Sequence, residues 1–88
     1  MKLFIAFLLL FSLEVIAQKP AGTLPVELVY FNGYFADGKV ILFWGTATEV
    51  NNYGFEVERR MPQAEWTNVG FVLGSGNSNS PKSYFFED

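Results

Sequence analysis

The sequence contains no cysteine and no histidine. Without cysteine the chain can form no disulfide, thiolate metal site or cysteine nucleophile, and without histidine it lacks the commonest metal ligand and the usual imidazole base. Lysine and arginine together number only six, and the formal net charge is −3. This charge does not favour binding to nucleic acid or to an anionic membrane. The composition therefore argues against most enzyme classes, zinc modules and DNA-binding proteins, and we expect no catalysis and no cofactor.

Apolar and aromatic residues are abundant: 50% of the residues are hydrophobic and 18% are aromatic. This composition excludes a disordered tail, and the length of 88 residues fits one small domain. From residue 25 onward, Gly, Pro, Asn and Ser recur about every ten residues, and β-branched and aromatic runs lie between them. The alternation within these runs is typical of short β-strands. We therefore expect an all-β fold.

Residues 1–17 have the pattern of a secretory signal peptide, which we expect to be helical. The basic second residue is followed by an apolar run over residues 3–13, and Glu14 ends that run. The run is shorter than the roughly 20 residues that a membrane-spanning helix needs. We predict cleavage between Ala17 and Gln18, because small or modest residues precede that bond. An uncleaved anchor is the alternative, whereas the absence of cysteine excludes a lipid anchor at the junction.

The cleaved chain is expected to be secreted or displayed at the cell surface, without a stable membrane anchor. Residues 18–24 form a polar lead-in, and residues 25–88 form the domain. A chain of this size buries only about 60% of the surface of its unfolded state. Without disulfides or a metal, it lies near the lower limit for independent folding.

The alternation predicts five strands, with a hairpin turn at Asp37 and Gly38 between the first two. Turn or loop residues are expected at 45–52, including Asn51 and Asn52, and a polar loop at 74–81. The predicted strands are 26–31, 39–44, 53–59, 66–72 and 84–86. The residues expected in the core are Val40, Leu42, Trp44, Tyr53, Phe55, Val57, Trp66, Val69, Tyr84 and Phe86. The order fits an immunoglobulin-like sandwich, which usually has about seven strands, so two are missing.

One block is specific enough to carry a resemblance. Residues 46–59 read Thr-Ala-Thr-Glu-Val-Asn-Asn-Tyr-Gly-Phe-Glu-Val-Glu-Arg, and residues 24–29, 66–72 and 74–84 add to the match. This pattern resembles the fibronectin type III-like module of secreted bacterial proteins that end in a type IX secretion sorting domain. The resemblance implies a seven-stranded sandwich with strands A, B, C, C′, E, F and G, to which residues 25–88 contribute A to E. Strands F and G and the sorting domain are missing, so the chain is expected to be the N-terminal fragment of a larger protein.

Three sets of polar residues are candidates for chemistry, each with a plainer interpretation. Glu56 and Glu58 share a strand face at roughly 6.5–7 Å, a spacing that glycoside hydrolysis could use, but a solvated outer face is the stronger expectation. Residues 74–80 are rich in Gly and Ser, yet they precede a strand rather than the helix that a phosphate loop requires. Oxygen donors for calcium follow no ligand pattern; they are Asp37, Glu49, Asn51 and Asn52.

The aromatic residues exceed what one small core needs, and the surplus comprises Tyr30, Phe31, Tyr34, Phe35, Phe43 and Phe71. They could stack on sugar rings, or they could pack in the core and under the missing strands or a neighbouring domain. The first functional hypothesis is a non-catalytic module for spacing, presentation or adhesion, whose missing strands a neighbouring domain or chain supplies. One alternative is a carbohydrate-binding sandwich with a glycan as ligand. Another is a small secreted protein that completes its sheet by strand pairing with a partner.

Overall fold

The computed structural model describes residues 2–6, 10–17 and 26–88, the first two segments by their backbone only. All strand pairs in it are antiparallel, and the described segments contain no helix that could cross a membrane. The all-β prediction is confirmed. The strands are β1 (Lys2–Ala6), β2 (Leu10–Ala17), β3 (Val26–Ala36), β4 (Lys39–Arg60), β5 (Thr67–Ser78) and β6 (Lys82–Glu87).

The long strand β4 organises the sheet, because β2, β3, β5 and β6 all pair with it. Residues 39–49, here called the first arm, are flanked by β3 and β6. Residues 52–60, the second arm, are flanked by β2 and β5. The arms contact each other through Trp44 and Phe55, whose ring centroids lie 5.3 Å apart. One strand therefore contributes to two groups of strands that share a core.

The turn between β3 and β4 is the predicted one. Asp37 and Gly38 have φ angles of 52° and 75°. Two successive residues with positive φ are the requirement of the tight hairpin turn that the sequence Asp-Gly favours. The turn fixes the register from Ala36 opposite Lys39 onward.

The core lies between the two arms and includes most of the residues that alternation selects. The buried hydrophobic residues are Val26, Val40, Leu42, Trp44, Phe55 and Val57. Partly buried residues pack against them: Leu28, Phe31, Val69, Val72, Tyr84 and Phe86. Trp66 is half-buried outside this cluster, with the Arg60 guanidinium carbon 4.9 Å from its ring centroid.

The prediction that Tyr53 belongs to the core is wrong, since this residue is 56% exposed. Asn51 has a positive φ of 48°, and the pairing of β4 with β5 shifts register on both sides of Asn52. The alternation is therefore displaced, and Asn52 takes the inward position with no exposed surface. Phe55 resumes the inward pattern further along the arm.

Two predicted loops are parts of strands. Residues 45–52 continue β4, so the expected second and third strands are one strand. Residues 74–78 belong to β5. Glycine serves close packing here: a Cβ on Gly74 would lie 2.7 Å from Asn52 Nδ2, so this position lets β5 pass next to that side chain.

The expected helix over residues 1–17 is also wrong for the described part of that segment, which forms β1 and β2. β2 pairs with the second arm, with Leu13 opposite Val57. The edge of the second arm presents unpaired backbone groups to a further strand. Residues 1–17, here called the leader, include β-branched and aromatic residues, which favour strand structure. Ala17 is the last residue of β2. Gln18 and the lead-in at 18–24 lie outside the described residues.

Candidate functional sites

A buried carboxylate marks the point where β4 passes from the first arm to the second. Glu49 is only 2% exposed, and Thr46 and Asn52 on the same strand are equally buried. The register of β4 shifts at this point, which allows three nearby polar residues to face inward. An ionised group at this depth must have its hydrogen-bond capacity filled, because burial of an unpaired charge is costly.

Four donors fill that capacity. Thr46 Oγ1 donates to Glu49 Oε2 at 2.9 Å, and the Tyr84 hydroxyl donates to the same oxygen. Asn52 Nδ2 donates to Oε1 at 2.8 Å, and the backbone N–H of Ser75 donates to it at 3.0 Å. Since the Tyr84 proton points to Glu49, the Ser75 hydroxyl donates to Tyr84 Oη at 2.7 Å. The cluster thus ties β4 to both β5 and β6.

These contacts shift two pKa values in opposite directions. Burial raises the pKa of Glu49, but the hydrogen bonds from Tyr84, Asn52, Ser75 and Thr46 outweigh it, so the pKa lies below its ordinary 4.5. Burial, followed by the hydrogen bond to Glu49, raises the pKa of Tyr84 to about 12. The pair is therefore a carboxylate and a neutral phenol at neutral pH. Both carboxylate oxygens accept hydrogen bonds from the chain itself, so the arrangement stabilises the bend, the point where β4 passes from the first arm to the second.

The residues considered for calcium do not form a shared site. Glu49 and Asn52 bond to each other, whereas Asp37 lies in the turn between β3 and β4. The backbone N–H of Asn51 donates to Asn77 Oδ1 at 2.8 Å. Among the residues that the structure describes, no three His, Cys, Asp or Glu side chains are grouped as metal ligands would be.

The outer face of the first arm carries an open aromatic groove of about 490 Å³, lined by Tyr34, Ile41, Phe43, Phe85 and Glu87. The Tyr34 and Phe43 ring centroids are 6.0 Å apart, and Phe85, a residue that is 71% exposed, stands opposite Phe43 on β6. Glu87 brings a carboxylate to the rim, where Lys39 Nζ lies 3.4 Å from its Oε2.

Of the surplus aromatic residues, Tyr34 and Phe43 line the groove and the other four do not. Tyr34 pairs with Ile41 in the groove, whereas Phe35 pairs with the buried Val40 and so belongs to the opposite face of the sheet. Phe31 packs edge-on against Trp44 at 6.3 Å. Remaining aromatic residues cover glycines of β4: Tyr30 covers Gly45 and Phe71 covers Gly54.

Glu56 and Glu58 are half-buried on the second arm, on the face opposite Phe55 and Val57. The aromatic groove described above lies on the first arm and is lined by neither of these glutamates. The predicted loop at 74–80 uses its polar groups internally, as in the bond from the Ser80 N–H to Ser78 Oγ at 3.2 Å.

The sequence patterns indicate Glu49 and Asn52 as oxygen donors for an ion and Asn52 also as a turn residue, and they do not reveal the contacts with Tyr84 and Ser75. The local signal is Thr46 and Glu49 three residues apart, followed by the Asn pair. The same residues also predict a turn, in which polar side chains face water, so the inward-facing cluster is not apparent from the sequence.

No protein-family model, curated protein or solved structure matches this chain.

Proposed function

We propose that residues 25–88 are a non-catalytic, fibronectin type III-like β-sandwich module of an exported protein, with a role in spacing, presentation or adhesion. The observation that carries this proposal is the division of β4 into two arms whose inward-facing Trp44 and Phe55 rings lie 5.3 Å apart. Two antiparallel strand groups with a shared core fit a sandwich. In the resemblance, the group of β3, the first arm and β6 corresponds to strands A, B and E. The group of the second arm and β5 corresponds to strands C and C′.

The leader strands support the view that the module is incomplete by itself. β2 lies beside the second arm, on the side away from β5, and β1 lies beside β2. In an immunoglobulin-like sandwich, the C strand has strand F on this side and G beyond it. Strands β2 and β1 thus occupy the positions that strands F and G would take. This agrees with the proposal that a neighbouring domain or chain supplies those two strands.

The polar cluster supports a structural role. Its carboxylate is buried and accepts four hydrogen bonds from its own chain, so its binding capacity is used within the fold. The aromatic groove is open and contains one carboxylate, Glu87, among its lining residues. Acid–base catalysis by paired carboxylates needs a second group at a defined distance. A display or spacer role uses what these features provide.

Export completes the proposal: cleavage between Ala17 and Gln18 releases a secreted or cell-surface protein, as part of a larger protein sent through type IX secretion. Intact-mass measurement of the protein recovered from the medium and the cell surface tests this. A product that begins at Gln18 supports cleavage, and one that continues beyond Asp88 supports the larger parent. Recovery only inside the cells, with residues 1–17 attached, would contradict export.

The aromatic groove favours carbohydrate binding as a second candidate. The exposed rings of Tyr34 and Phe85, the half-buried ring of Phe43 and the Glu87 carboxylate at the rim combine a stacking surface with a hydrogen-bond acceptor. A glycan array probed with the exported chain tests this candidate. Tyr34→Ala should abolish any binding, and Phe35→Ala should preserve it because Phe35 lies on the opposite face. Equal loss in both variants, or no binding at all, would exclude the groove as a glycan site.

A further inference from the structure

One edge of the second arm depends entirely on the leader. β2 pairs with it from Leu10 opposite Arg60 to Ala17 opposite Asn52, and β1 pairs only with β2. None of the strands within residues 26–88 pairs with this edge. The opposite edge of the arm is closed by β5. The leader therefore shows which kind of strand the edge accepts and in which direction.

The register of this pairing contains two matches and one conflict. Leu13 stands opposite Val57, and Val15 stands opposite Phe55, so apolar positions of the leader meet buried apolar positions of the arm. Between these pairs, Glu14 stands opposite Glu56. Like charges directly opposite each other destabilise an antiparallel pair. The leader thus has the right apolar pattern and the wrong charge.

Two more charged residues follow Glu56 on the same face of the arm, Glu58 and then Arg60, which stands opposite Leu10. The uncharged Ser12 stands opposite Glu58. Cross-strand pairs of opposite charge are favourable by the same argument that makes like pairs unfavourable. A strand with a basic residue opposite Glu56 would therefore pair better than the leader does.

We propose that this edge of the second arm is a strand-acceptor site for a partner polypeptide. The partner is an extended antiparallel segment with apolar residues opposite Phe55 and Val57 and a lysine or arginine opposite Glu56. Cleavage between Ala17 and Gln18 removes the leader and leaves this edge open to the partner. This proposal specifies the partner in the proposed function and rests on that function for the cleavage that frees the leader.

The test uses the full chain with a specific protease site inserted between Ala17 and Gln18, folded first and then nicked. Three fluorescein-labelled peptides are titrated against it: the sequence of residues 10–17, the same sequence with Glu14→Lys, and a control with Leu13→Pro. The lysine peptide should bind about fivefold more tightly than the native sequence, and the proline peptide should not bind. Glu56→Lys in the chain should reverse the preference between the first two peptides.

Two outcomes would overturn the proposal. One is equal binding of all peptides, or a preference that Glu56→Lys leaves unchanged. The other is dimerisation of the nicked chain with no peptide bound, which would assign the edge to a second copy. Neither outcome depends on whether cells export the chain, so failure here and failure of the proposed function are distinguishable.

A second measurement avoids nicking. Hydrogen exchange of residues 10–17 is compared in the intact chain, in Glu14→Lys, in Glu56→Lys and in the double variant. Each single change should slow exchange about fivefold, and the double change should restore the original rate, because like charges face each other again. Glu27→Lys on β3 is the matched control and should leave exchange of this segment unchanged. Failure of both single changes to slow exchange would contradict the charge-selective pairing.

Discussion

The two arms of β4 differ in what closes them. Both sides of the first arm are covered by strands from residues 26–88, namely β3 and β6. The second arm has β5 on one side and the leader strand β2 on the other. Without the leader, the second arm and β5 would form a two-stranded ribbon, which is marginally stable by itself. The polar cluster around Glu49 and the core between the arms are therefore what holds the second arm in place.

The largest effect is expected where the arms meet. The Trp44 ring centroid lies 5.3 Å from that of Phe55, and Trp44 stacks on Tyr84 with ring centroids 5.8 Å apart. Trp44→Ala should lower the free energy of unfolding by about 3–5 kcal/mol through loss of this packing. Urea denaturation of the full chain measures it. Phe43→Ala, on the outer face of the same arm, is the control and should cost about 1 kcal/mol or less; equal losses would argue against a core centred on Trp44.

Removal of the carboxylate at the bend should rank next. Glu49→Ala leaves the donors of Thr46, Asn52, Tyr84 and Ser75 without their acceptor, at an expected cost of about 3 kcal/mol. Glu49→Gln should cost less, because its amide oxygen can still accept two of these bonds. Urea denaturation of both variants checks the order. A smaller loss in the alanine variant would show that the cluster contributes little to the bend.

A matched pair of glycines compares the arms directly. A Cβ on Gly54 would lie 2.3 Å from Phe71 Cζ and 2.6 Å from the Val72 carbonyl oxygen, so backbone blocks it. A Cβ on Gly45 would lie 2.4 Å from Tyr30 Cε1, at the end of a partly exposed ring. We expect Gly54→Ala to cost about 1–3 kcal/mol and Gly45→Ala less than about 1 kcal/mol. Equal shifts in the urea midpoint would contradict this difference.

The smallest expected effects are those of pH. The pKa of Glu49 is lower in the folded protein, so its contribution to stability is present above about 4.5 and is lost as pH falls through the folded value. The pKa of Tyr84 is raised to about 12, so its contribution is present below pH 10 and is lost as pH rises through the folded value. Free energies of unfolding across pH measure both. Glu49→Gln should flatten the acid limb and Tyr84→Phe the alkaline limb; unchanged limbs would contradict the assignment.

Local patterns in the sequence predicted the elements whose cause is local. The turn at Asp37 and Gly38 follows from two residues that accept positive φ, and Val40, Leu42 and Trp44 follow from strict alternation on one face. Features that arise from distant contacts were not predictable in this way. Tyr53 faces outward because Asn52 is drawn inward by Glu49, and the bonds that hold Glu49 come from β5 and β6.

The same limit explains the leader and the candidate site. The apolar run at residues 3–13 has no alternation that would predict a strand. Strand β2 forms by pairing with the second arm, and its partners are more than 40 residues away along the chain, as Val57 is from Leu13. For the aromatic groove, the sequence indicates that Tyr34, Phe35 and Phe43 exceed the needs of the core. Only the strand register shows that Tyr34 and Phe43 share a face and that Phe35 lies on the other one.

The direction of the strands around the first arm has a mechanical consequence. Val26 begins β3 opposite Glu49, and Asp88 exchanges backbone hydrogen bonds with Val40, so these two residues lie at opposite ends of the same arm. Tension applied between them pulls β3 and β6 lengthwise along β4. Such a load shears many backbone hydrogen bonds at once rather than opening them one after another. In a module that spaces or presents a neighbour, residues 26–88 would therefore resist stretching best along the direction in which the chain is tethered.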